Sequence, residues 1–167
     1  MANALETVLK RISTMTGAVR GDTLTPDLQR IYTSKMANDQ SFTVVMFGMA
    51  QMQKLHADTR LLIQMVENHG LAIPDVKKVA ESLLNGQEAI LRKRYDLTDS
   101  ADLVREAKAA LLAVERKEDW NRLLTALSIY AHNVSHALAA LLPWHELAVA
   151  FEGARTVNRA YAERMVQ

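Results

Sequence analysis

The sequence predicts an all-α protein, a single bundle of six or seven helices with two long central ones. Three observations carry this. Apolar residues make up 49% and charged residues 23% of 167 positions, the balance of a folded globular chain. Only six Gly and three Pro occur and aromatics are 5%, too few for the many tight turns of a β-rich fold. Apolar residues recur at three- and four-residue spacing along most of the chain. A chain of this length buries about 70% of its unfolded surface, so its core needs no disulfide or metal staple.

The elements follow in order. Asn3 and Glu6 stand at capping-box spacing, and Leu5, Val8, Leu9, Ile12, Met15 and Val19 form one stripe of a first helix that Gly21 ends. Thr25-Pro26-Asp27 opens a short second helix, with Leu28, Ile31, Tyr32 and Met36 on its apolar side. The third helix is predicted from about Ser41 to His69 and is closed by Gly70. Its first half, Gln40 to Gln53, carries no charge, and Phe42, Val44, Val45, Met46, Phe47, Met49 and Met52 point all round the axis. Such a helix is enclosed on every side or lies in an interface. Thr43-Val44-Val45 leaves a strand as the minor alternative.

Pro74-Asp75 starts a fourth helix that keeps its period to about Tyr95, weakened at Gly86. Thr98-Asp99-Ser100 supplies the cap of a fifth, with Leu103, Val104, Ala107, Leu111 and Val114 on its stripe. At Glu115–Asp119 the stripe jumps phase, which marks a tight break or a curved continuous helix. The sixth helix carries Trp120, Leu123, Leu124, Leu127, Tyr130, Val134, Leu138 and Leu141 up to the corner at Pro143. A seventh holds Leu147, Phe151, Ala154, Val157, Tyr161 and Met165. No internal repeat or linker interrupts the series, so residues 1–167 read as one domain.

Lys plus Arg number 20 against 19 Asp plus Glu, which gives no basic footprint for a nucleic acid. The chain has no Cys, which excludes disulfides, thiolate zinc sites and thiol catalysis. The N-terminal residues lack the basic-then-apolar design of a signal peptide. The uncharged stretch from Leu123 to His145 is long enough to span a bilayer. However, it has His132, Asn133, Ser135 and His136 at its centre, and these are costly in hydrocarbon. A soluble, cytoplasmic protein is the expectation.

Few residues carry chemistry. His132 and His136 are spaced i, i+4, so their imidazoles reach one point from successive turns. Asn133, Val134 and Ser135 stand between them, which excludes a His-Glu-x-x-His protease site. Both lie roughly 160° from the apolar stripe at about 100° per residue, on a polar face that meets solvent or a second helix. His56, at the edge of the Leu55–Leu62–Val66 stripe, is a candidate third ligand. A lone His followed by His-x-x-x-His on a later helix resembles the metal-binding DinB-like bundles. The resemblance covers these three residues only, and implies one divalent transition metal ion held by His56, His132 and His136.

Other features have plainer readings. His69 abuts a helix C-terminus and His145 sits opposite Leu147 and Phe151. Arg92-Lys93-Arg94 lies at a helix C-terminus, where the macrodipole favours cations. Asp99 and Asp102 read as caps. There is no Gly-rich phosphate loop, no Gly-x-Ser-x-Gly elbow and no paired Glu-x-x-His set. Two functional expectations follow. The first is a non-enzymatic interaction or self-assembly module without a cofactor, contacting a second copy or a protein partner through Phe42, Met46, Phe47, Met49 and Met52. The second is a metal-binding bundle or metal-dependent enzyme using the three histidines.

Overall fold

Five helices, and no strand, make up the described part of the protein. The computed structural model describes residues 3–20, 39–93 and 97–140, with 39–44 described by backbone alone. The helices are α1 (Ala4–Arg20), α2 (Asp39–Glu67), α3 (Ile73–Lys93), α4 (Thr98–Leu112) and α5 (Lys117–Ala139). The predicted second and seventh helices fall outside the described residues, as do Gly21, Arg94 and His145. Against the six or seven predicted, five helices are counted among the described residues.

The long helices α2 and α5 share the most extensive contact in the fold. They run antiparallel. Trp120 Nε1 donates to the Leu62 carbonyl at 3.3 Å, Ser128 meets His56, and Leu138 packs at Gly48. Each step up one helix is a step down the other. The seam is dry where the apolar stripes meet: Met52, Leu55, Leu62, Trp120, Leu124 and Leu138 have no more than 1% of their surface exposed. Each such side chain contributes on the order of 1.5–3 kcal/mol by leaving water. Gly48 sits in this seam, where its Cβ position lies in ordinary packing contact with the Leu97 and Leu138 side chains, at 3.5 and 3.6 Å. Thr43-Val44-Val45 is helical, because tertiary burial of Val45 overrides β-propensity.

The remaining helices brace this pair. In α1 the Asn3 side chain accepts the Glu6 N–H at 2.8 Å, as the capping spacing predicts. The Glu6 carboxylate then accepts from both terminal guanidinium nitrogens of Arg122 on α5, at 2.9 and 3.3 Å. Gly70, at φ +65°, ends the turn after α2, and His69 is exposed beside it. α3 runs unbroken through Gly86. The phase jump at 115–119 is a true break: α4 stops at Leu112 and α5 begins at Lys117.

Two local expectations are corrected. The residue at the N-cap of α4 is Leu97, with no side-chain cap, and Thr98 is already helical. Leu97 is fully buried and its side chain lies at Gly48, so core packing rather than a hydroxyl decides where α4 begins. Asp102 does not cap a helix. Instead it accepts from Arg92 at 2.7 Å, closing the α3–α4 corner. That hydrogen bond, and the charge behind it, holds the Asp102 carboxyl below its usual range. Arg92 also reaches Glu88, so its cation is paired as well as placed in the last turn of α3.

Candidate functional site

The chemistry-bearing residues of α2 and α5 meet beside their buried seam. His56 lies on α2, half buried at the edge of the apolar stripe. Thr59 Oγ1 donates to the His56 carbonyl at 2.8 Å within the same helix. On α5, Ser128, His132 and His136 are spaced i, i+4, i+8, which lines them up along one flank. Leu127, Val134 and Leu138 meanwhile enter the core. The antiparallel pairing brings that flank level with His56.

Three imidazoles come together as a result. The ring centroids of His132 and His136 are 4.4 Å apart with the rings nearly perpendicular, and their Nε2 atoms are 3.0 Å apart. The His56 ring lies 5.5 Å from that of His132. The Nδ1 of His56 is 2.7 Å from the Ser128 hydroxyl and 3.1 Å from the Ser128 carbonyl oxygen. A recess of about 320 Å³ opens here, lined by the three histidines with Met49, Gln53 and Ser135. At about 30 Å³ per water it has room for an ion with its waters, or for a small molecule. No Asp or Glu lines it.

Fit to a metal ion can be tested on these distances. Two nitrogens bound to one tetrahedral zinc at about 2.0–2.1 Å stand roughly 3.3 Å apart. The His132–His136 separation of 3.0 Å is within a few tenths of an ångström of that. As the side chains stand, however, these nitrogens face each other. Among the described residues no set of three or more His, Cys, Asp or Glu side chains is arranged to hold a metal ion. The pair fits two corners of a coordination sphere, and His56 is the neighbouring ring rather than a ligand already in place.

The predicted interaction segment is divided by the fold. Val45 and Met52 are fully buried in the protein's own core, and Gly48 is buried against α4 and α5. Met46 and Met49 are half buried, and Met49 belongs to the histidine recess. Phe47 alone points outward, 56% exposed. The Phe42 side chain lies outside the described residues.

Sequence reasoning missed Ser128, Ser135 and Gln53. The signal for Ser128 was present, since it extends the His132–His136 row by one turn. Also missed was a polar cluster on the other flank of α2. There the buried Gln87 of α3 accepts from Gln51 and donates to Asp58 at 2.8 Å, and Asp58 takes Lys54 at 2.8 Å. None of the described helices is long and apolar enough to cross a membrane. Compared with protein-family models, curated proteins and solved structures, the chain finds no match in any of the three.

Proposed function

We propose that this protein is a metal-binding helical bundle that holds one divalent transition metal ion at the α2–α5 flank. His132 and His136 are the primary ligands, and His56 is the third once the rings turn from one another toward the ion. One observation carries the reading: the Nε2 atoms of His132 and His136 are 3.0 Å apart, and the His56 ring, its centroid 5.5 Å from that of His132, lines the same recess. Binding replaces the single His–His hydrogen bond with two or three metal–nitrogen bonds. An all-imidazole set without carboxylate suits zinc, copper, iron or nickel rather than calcium or magnesium. The recess leaves further positions on the ion to water or a small ligand. The test is metal analysis of protein purified without chelator, followed by Zn²⁺ titration. Stoichiometric metal, lost in His132→Ala with His136→Ala, is expected. Metal-free wild type that also ignores added Zn²⁺ ends the proposal.

A second reading rests on Phe47. A large apolar side chain 56% exposed in the first third of the longest described helix supports an interaction or self-assembly module. Light scattering tests it. A concentration-dependent oligomer that Phe47→Asp dissociates supports self-assembly, and a strict monomer removes it.

A further inference from the structure

We infer that Ser128 is a positioning residue: it holds His56 as the Nδ1–H tautomer and so presents a bare Nε2 to the recess. The inference rests on the metal-binding reading for its purpose, but its geometry is independent of it.

The Ser128 carbonyl lies 3.1 Å from His56 Nδ1, placed so that a proton in the ring plane points at it. A carbonyl oxygen only accepts. The Ser128 hydroxyl, 2.7 Å from the same nitrogen, either donates or accepts. Were Nδ1 unprotonated, its lone pair would face the carbonyl lone pairs at that short distance, and only the hydroxyl contact would be attractive. With Nδ1 protonated, both oxygens accept from it. One tautomer therefore satisfies both contacts, and it leaves Nε2 as the nitrogen with a lone pair to give. Ser128 is itself 4% exposed, so water does not compete for its oxygens. The same arrangement orients metal-ligating histidines in general: the ring nitrogen away from the ion donates to an oxygen that fixes tautomer and angle.

The contact also acts across the helix pair. His56 belongs to α2 and Ser128 to α5, and Ser128 lies one turn before His132 on the same flank. The residue that fixes the third imidazole is thus carried on the element that supplies the other two.

Nitrogen-15 NMR of the metal-free wild type, with histidine side chains labelled and His56 assigned from its Ala variant, reads the tautomer directly. The expected result is an N–H nitrogen at Nδ1 and a bare nitrogen at Nε2, with Nε2 the atom that shifts when Zn²⁺ is added. A metal-free His56 carrying its proton on Nε2 overturns the inference. Ser128→Ala keeps the carbonyl but removes the hydroxyl, and should weaken Zn²⁺ binding by about tenfold, the low end for lost partners of metal ligands. Unchanged affinity in that variant overturns the positioning role. If His56 is the Nδ1–H tautomer but His132→Ala with His136→Ala binds Zn²⁺ as wild type does, the proposed function fails while the tautomer assignment stands.

Discussion

Helix α2 carries a polar cluster on each flank, and the two are built differently. Toward α3, Gln51, Gln87, Asp58 and Lys54 join an amide, a second amide, a carboxylate and an ammonium. Donors and acceptors alternate along this chain, so each group finds a partner within it. Toward α5, His56, His132 and His136 are three copies of one group. A neutral imidazole has one donor and one acceptor, and a pair of them shares a single proton. The first cluster lies on the buried Gln87; the second borders a recess, with His132 and His136 exposed. Complementary groups lock two helices together, whereas on the proposed metal-binding reading the like groups beside open space take a partner of opposite character. A cation is such a partner.

The largest test of that difference is loading. Free Zn²⁺ held about a thousandfold above its Kd should stabilise the wild type by roughly 4 kcal/mol, read as a rise in Tm. The double variant His132→Ala with His136→Ala should show no rise. Equal stabilisation of both proteins would place the ion elsewhere and erase the contrast.

The Gln87 cluster should answer to mutation rather than to metal. Gln87→Ala leaves the Gln51 amide and part of Asp58 without their buried partner, and should cost about 2 kcal/mol in urea unfolding. A cost within experimental error would mean that water replaces Gln87, and that this flank is no more closed than the other.

Between these lies the α3–α4 corner, which responds to pH. Arg92 lowers the Asp102 pKa, so the unfolded carboxylate takes up a proton before the folded one does. The pair's contribution is therefore present above the unfolded pKa and is lost as pH falls through the folded pKa. The urea midpoints of wild type and Asp102→Asn should differ modestly at neutral pH and converge in acid, since the pair is only partly buried. Divergence in acid would contradict the sign.

The smallest effect is expected where no metal is present. His132 and His136 are exposed, and removing both should change stability in chelator by no more than about 0.5 kcal/mol. A larger loss would make the histidines structural glue, equivalent to the Gln87 cluster.

How much of this was legible differs from residue to residue. The Asn3–Glu6 cap and the Gly70 stop are decided within a few residues of chain, so the sequence displays them, whereas the phase jump before Trp120 left a break and a curved helix both open. The His132–His136 pair was visible for the same reason, one helical turn being a local distance. The start of α4 was misread because Leu97 answers to Gly48 on another helix and not to its neighbours.

By itself, then, the sequence determined that the described residues are helical, where most of their helices begin and end, and which stripe of each is apolar. These depend on spacing and on short-range hydrogen bonds. Tertiary structure alone decided that α2 and α5 lie antiparallel in the register that sets His56 against Ser128, that Val45 and Met52 are core while Phe47 is not, and that Gln87 is buried. Those outcomes depend on which stripes pair and at what offset. No local pattern encodes that choice, because many offsets of two apolar stripes bury nearly equal area. What separates them is detailed packing, such as Leu97 and Leu138 fitting at Gly48, together with the cross-helix hydrogen bonds that only one register completes.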